Sequence, residues 1–208
     1  MKPIILIGGG GHCKSCIDVI EQENTHAIFG IIDHGKKIGD TVLGYEIIEQ
    51  EISIQKFNPA QYTFFITIGQ IGGPKRRREL FNILESLNCH LPTIISPFAY
   101  LAKHTKVAEG TIVHHHALVN TKAMIGRNCI INSKSLVEHD AIIQDHCHIA
   151  TGAIVNGGSI IGEGSFVGSN AMIKQGVKIG KNCVIGAGVK VMADIKSGTV
   201  IKNSRIVK

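Results

Sequence analysis

From Ile95 onward a branched aliphatic residue recurs at every sixth position: Ile95, Leu101, Val107, Val113, Val119, Ile125, Ile131, Val137, Ile143, Ile149, Val155, Ile161, Val167, Ile173, Ile179, Ile185 and Val191. With aliphatics at about one residue in four, chance does not produce such an unbroken series. A second column, four residues after each of these, is mostly small: Ala99, Thr105, Ala123, Cys129, Ser135, Ala141, Cys147, Ala153, Ser165, Cys183. Glycine often follows the aliphatic residue directly, as at Gly126, Gly162, Gly168, Gly180 and Gly186. This period predicts a coil of short parallel strands. The branched side chains fill a prism, the small ones sit where a corner leaves little room, and Gly and Asn turn the chain. Three hexads close one triangular coil, so the series makes between five and six coils, each burying its neighbours' faces. The expected fold of residues 95–198 is a hexapeptide-repeat parallel β-helix.

Residues 1–90 follow other periods. Lys2 to Ile7 reads as a buried strand and Gly8 to His12 as a tight loop. Cys13 to Glu23 has the apolar spacing of a helix, with Cys16, Ile17, Val19 and Ile20. Further strands are expected at Ala27 to Asp33 and Tyr62 to Ile68, and a helix at Lys75 to Asn88 with Leu80, Phe81, Leu84 and Leu87 on one face. Alternating strands and helices predict a small Rossmann-like α/β domain with a parallel sheet. Two prolines, Pro92 and Pro97, bound the junction. Residues 199–208 leave the six-residue register and read as a basic tail.

Composition narrows the class. At 208 residues, 44% hydrophobic and 18% charged, the chain is no disordered segment. The apolar runs fall far short of the roughly 18–20 residues of a membrane-spanning helix. No secretory signal is evident, so a cytoplasmic location and free thiols are expected for the six cysteines. A net charge of +6 suits phosphate-bearing small molecules; no nucleic-acid or membrane partner is expected.

Several motifs could carry chemistry. Gly8-Gly9-Gly10-Gly11-His12-Cys13 follows a strand and opens a helix, and has Cys13 where a dinucleotide fingerprint carries its third glycine. Such a loop lets the backbone and the helix N-terminus approach phosphate oxygens. Asp33 ends the second strand, where an acid commonly meets a ribose hydroxyl. Cys13 and Cys16 have redox-motif spacing but read as small packing residues, and Cys129, Cys147 and Cys183 as core. Lys75-Arg76-Arg77-Arg78 reads as a solvated helix face. His114-His115-His116 cannot all face one ion. His139 falls at a corner of the coil, directly before Asp140. There the acid can hold the imidazole and raise its basicity, or the histidine is simply an exposed corner residue.

The loop at Gly8 to His12, Asp33, the strand Phe64-Phe65-Ile66-Thr67-Ile68-Gly69 and the stretch from Val137 to Asn170 together resemble the sialic-acid O-acetyltransferase-like sugar acetyltransferases. That group includes the bacterial UDP-4-amino-sugar N-acetyltransferases. The hexads alone are shared by many acyltransferases; their pairing with a glycine-rich α/β domain is more specific. The resemblance implies a left-handed coil, a homotrimer with coenzyme A in the groove between protomers, and acetyl-CoA-dependent N-acetylation of a nucleotide-linked amino sugar in bacterial glycan and polysaccharide biosynthesis. It implies His139 as general base with Asp140 orienting it. His148, Ser169 and Ala187 would meet the coenzyme, and Gly10, Gly11, His12, Asp33, His34 and Gly69 the nucleotide sugar, with Asn132 near the acceptor. No metal is implied. The relatives often end in a Gly-x-Pro-Ala-Lys-like tail, which Lys202 to Lys208 lacks. Alternatives are O-acetylation of a sialic or related nonulosonic acid, a zinc-dependent carbonic anhydrase built on the same coil, and a non-catalytic nucleotide-sugar-binding module.

Overall fold

The computed structural model describes residues 1–50 and 56–202. The chain begins with β1 (Lys2–Ile7), α1 (Gly11–Glu23), β2 (His26–Ile32), β3 (Thr41–Val42), β4 (Tyr45–Glu49), β5 (Thr63–Ile66) and α2 (Lys75–Ser86). They form a five-stranded sheet in the order β3-β4-β2-β1-β5, parallel except for the β3–β4 pair. β1 is central, and Ile4, Ile5, Leu6 and Ile7 are all fully buried. A strand covered on both faces needs no polar alternation. Ile4 and Leu6 pack toward Cys13, Cys16, Ile17 and Ile20 of α1, and Ile5 and Ile7 toward Leu80, Phe81 and Leu84 of α2. β3 and β4 were not expected from the sequence. β3 has only two residues, and the β3–β4 hairpin turns at Leu43 and Gly44, both at positive φ, too short a pattern to show a period.

α1 ends where Asn24 adopts φ +56° and returns its N–H to the Ile20 carbonyl. At its start Gly10 gives no side-chain cap, and although the Cys13 N–H donates to the Gly10 carbonyl (3.1 Å), the N–H groups of Gly11 and His12 face the loop and can meet a ligand.

The remainder is the β-helix, beginning at Ile94–Ile95. Its two-residue strands stack into sheets of seven, six and five, which at three strands per coil makes about six coils. Partners lie eighteen residues apart, as in Ile130↔His148, Leu136↔Ile154 and Ile142↔Ile160. The first face runs through Ile94, Ile112, Ile130, His148 and Phe166, the second through Leu118, Leu136, Ile154 and Met172, the third through Met124, Ile142 and Ile160. The inward column from Val113 to Val191 is buried together with Cys129, Cys147 and Cys183. At the corners a left-handed residue recurs at the same six-residue interval: Lys134 (φ +58°), Asp140 (φ +58°), His146 (φ +60°), Gly152 (φ +67°), Gly158 (φ +65°).

The coil continues past Gly198, where the six-residue register had suggested a tail. Val200–Ile201 pairs with Val184–Ile185, an interval of sixteen instead of eighteen, so the last coil is shortened by two residues and still closes. Of the basic tail expected at 199–208, residues 203–208 lie outside the described residues.

The N-terminal domain covers the first face. Ile94, Ile112 and Ile130 point outward from the coil and join the α1 core at 0% exposure. Burying each stabilises the joint by about 1.5–3 kcal/mol. On the α2 side Arg77, in the run expected to be solvated, is only 1% exposed. Its guanidinium donates to the carbonyls of Ile66 (2.9 Å) and Ile68 (2.6 Å) and to Asn128 Oδ1 (2.7 Å). Desolvation lowers it to about 10, which leaves it cationic at neutral pH.

Candidate active site

Two separate constellations arise. The first is a cavity of about 520 Å³ at the carboxyl ends of β1 and β5, lined among others by Gly10, Gly11, His12, Asp33, Thr67 and Gly69. It lies at the edge of a parallel sheet where ligands characteristically bind. Five of the six expected sugar-nucleotide residues therefore share one wall; His34 is exposed and does not line the cavity. The loop is held from below. Asp33 Oδ2 accepts from the Gly9 N–H (2.5 Å) and Oδ1 from the Gly35 N–H (2.9 Å). Thr67 donates to the Gly8 carbonyl (2.6 Å). Gly8 has φ +106°, and a side chain there would strike Ile68, so glycine is required. Asp33 thus shapes the loop through both oxygens and keeps spare lone pairs for a hydroxyl.

Behind this cavity the domain joint is rich in imidazoles. The His12 ring lies 5.2 Å from that of His114 and 6.5 Å from that of His148, centre to centre. His148 is 5% exposed, and its Nδ1–H donates to the Gln70 carbonyl (2.6 Å). That fixes the tautomer, and Nε2 faces the amide of Asn132 at 3.3 Å. Burial lowers His148 to about 4, and lowers His12 to about 2. Both rings are neutral at physiological pH.

The second constellation is His139 and Asp140, both exposed, at the corner between the second and third faces. Asp140 takes the left-handed corner conformation, which swings its carboxylate back so that Oδ2 accepts from His139 Nδ1 at 2.9 Å. Adjacent side chains on an extended strand would diverge; the corner makes them converge. Nε2 is left with a free lone pair. The ring rests on Gly157 of the next coil, where a Cβ would sit 2.6 Å from Cε1 and from Nε2. Glu138 accepts from the His139 N–H (3.2 Å) and from Asn120 (2.8 Å), fixing the backbone of the corner.

Ser169 and Ala187 lie one coil apart on a third line, the corner between the first and second faces, joined by the Gly188 N–H to the Ser169 carbonyl (2.8 Å). Within one protomer the prism stands between His139 and the glycine-loop cavity, because that cavity lies over the first face and His139 occupies the opposite edge. His115 belongs to neither group. It bridges Ser96 (2.6 Å) and Asp18 (2.7 Å), pinning α1 to the coil. Sequence reasoning passed over Gly157 and took Arg77 for a solvated residue. Gly157 lies eighteen residues after His139, the stacking interval, and Arg77 lies three and four residues before Leu80 and Phe81, on the apolar stripe.

Residues 3–84 match the PglD N-terminal domain, and residues 158–193 the bacterial transferase hexapeptide (six repeats). The chain thus joins a PglD N-terminal domain to bacterial transferase hexapeptide repeats, and it is an acetyltransferase of the hexapeptide kind. Among solved structures it is similar to the acetyltransferase domain of PglB from Neisseria gonorrhoeae FA1090 in complex with acetyl coenzyme A, at 25% identity and TM-score 0.91 over 97% of this chain and 96% of that one. It is also similar to PerB from Caulobacter crescentus in complex with CoA and GDP-perosamine, at 27% identity and TM-score 0.88 over 97% and 94% of the two chains. WeeI from Acinetobacter baumannii AYE, at 15% identity and TM-score 0.57 over 96% of each chain, shares the fold. Comparison with the curated proteins gave no match.

Proposed function

We propose that this protein transfers an acetyl group from acetyl-CoA to the amine of a nucleotide-linked amino sugar, of the UDP-4-amino-sugar type. The observation that carries the reading is the His139–Asp140 pair, with a lone pair free on Nε2 at an exposed edge of an acyltransferase coil. The amine attacks the thioester carbonyl and His139 Nε2 takes its proton. The C–S bond then breaks, and the thiolate of coenzyme A leaves with the proton returned from the imidazolium. Asp140 holds the ring in the required tautomer through its contact with Nδ1. Backbone N–H groups of the coil stabilise the oxyanion. The glycine loop and the uncapped start of α1 receive the nucleotide phosphates, and Asp33 a ribose hydroxyl. The pantetheine arm runs past Ser169 and Ala187, with His148 toward the thioester.

Because the prism separates His139 from the loop of its own chain, the complete site is assigned to the junction of two protomers in a homotrimer. The exposed faces fit this. Leu118, Leu136, Ile154 and Met172 on the second face, and Met124, Ile142 and Ile160 on the third, are apolar and only partly covered. A second copy of the chain is the partner such faces suit. A GDP-linked amino sugar is the second reading, favoured by the similarity to PerB. The protein is offered acetyl-CoA with UDP- and GDP-linked amino sugars, and with free and CMP-linked sialic acid, while thiol release is followed. Release with a UDP-linked amino sugar supports the proposal. Release with sialic acid alone, or with no acceptor, overturns it.

A further inference from the structure

The joint beneath the glycine loop holds polar side-chain atoms that neither the acyl transfer nor the packing satisfies. Among the described residues, few buried side-chain nitrogens and oxygens lack a hydrogen-bond partner, and two of them are the Nε2 atoms of His12 and His114. Leaving such an atom unsatisfied costs about 1–3 kcal/mol, so two side by side ask for an occupant. Cys16 completes the group. It lies one turn after His12 on α1, and its Sγ is fully buried. The ligand atoms of His12, Cys16 and His114 all lie within 4.8 Å of one another.

We infer that His12, Cys16 and His114 form a binding site for a late first-row divalent ion of the zinc type, tying α1 to the coil. Bonds of about 2.0–2.3 Å in tetrahedral geometry need ligand atoms roughly 3.3–3.7 Å apart, within reach of small side-chain rotations from the spacing seen here. Imidazole and thiolate without a carboxylate select zinc, cobalt or copper over magnesium or calcium. Three protein ligands leave a fourth position for water or an anion. The Arg77 guanidinium acts on both imidazoles and opposes a cation; burial pushes the Cys16 thiol up, an effect that Arg77 only partly offsets, so the ion must itself displace the thiol proton as it binds. The ion takes no part in the acetyl transfer proposed above; because His12 also lines the glycine-loop cavity, metal binding is measured without nucleotide sugar.

The test titrates the metal-free full-length protein with Co²⁺ and then Zn²⁺. One equivalent of Co²⁺ is expected to bind with an intense thiolate-to-cobalt charge-transfer band, which Zn²⁺ abolishes. Cys16→Ser should remove the band, and His114→Gln should weaken binding by more than about 100-fold, beyond what loss of an outer-shell partner costs. Cys89→Ser, at a partly exposed thiol, should change neither. Circular dichroism checks that each variant is folded. Absence of the band in the native protein overturns the site, as does its retention in Cys16→Ser or unchanged affinity in His114→Gln; the last holds even if Cys16→Ser fails to fold.

Discussion

Gly157 offers the sharpest perturbation of the His139 site. Its backbone does not need glycine, since its φ lies outside the left-handed region. Alanine there puts a methyl group 2.6 Å from His139 Cε1 and Nε2, against a comfortable carbon contact of about 3.5–4.0 Å. The ring must retreat by about 1 Å, and the 2.9 Å bond to Asp140 turns with it. A misplacement of that size costs on the order of 100-fold in rate. Gly157→Ala should therefore lower kcat about 100-fold, while KM for both substrates and the thermal midpoint stay near native. Gly158→Ala is the converse control. Its φ is +65° and its Cβ would meet nothing within 4 Å, so it should cost about 1–2 kcal/mol of stability and leave kcat unchanged. Steady-state kinetics with thermal denaturation distinguishes the two. A Gly157→Ala enzyme within threefold of native kcat would refute the claim that this ring is the base in this position.

Other perturbations have defined outcomes. His139→Ala should lose at least about 100-fold in kcat with ligand binding kept, and Asp140→Asn at least about tenfold, both read by thiol release. Arg77→Met leaves the Ile66 and Ile68 carbonyls unpaired and should cost about 3 kcal/mol or more in urea denaturation; Arg77→Lys should not restore it, because one ammonium cannot span three acceptors. His148 is held at about 4 in the folded chain against about 6.5 unfolded. Between those values the unfolded chain binds the extra proton, so the His148 contribution is full above pH 6.5 and falls by about 3 kcal/mol toward pH 4. His12 and His114, lowered to about 2 and about 4, add with the same sign, so urea midpoints across that range should show the slope, and His148→Gln should reduce it by its own share without abolishing it.

The coil was legible residue by residue, because one inward aliphatic per two-residue strand is a constraint that every hexad must meet. Its end was harder to read. The shortened last coil breaks the period, although Val200 and Ile201 still pair with Val184 and Ile185. In the sheet, β1 and β2 were plain as apolar runs, whereas β3 is two residues long and shows no period. The glycine loop, Asp33 and the His139–Asp140 pair could be named from sequence, since each is a local pattern. What could not be read is relation across the chain. Asp33 spends its oxygens on Gly9 and Gly35, Arg77 is buried by a domain joint, and His139 faces away from its own loop. Those facts depend on how the α/β layer lands on one face of the prism.

That last relation carries the central claim, a site assembled from two protomers, and subunit complementation tests it. Gly11→Phe, at the mouth of the cavity, and His139→Ala should each be inactive alone. Co-expressed at equal levels with separate tags and purified through both, they should regain about a third of the native sites in a closed ring of three, because every mixed trimer has one junction that pairs an intact loop with an intact imidazole. Mixed assemblies as inactive as either parent would contradict the shared site and return both halves of the chemistry to a single chain.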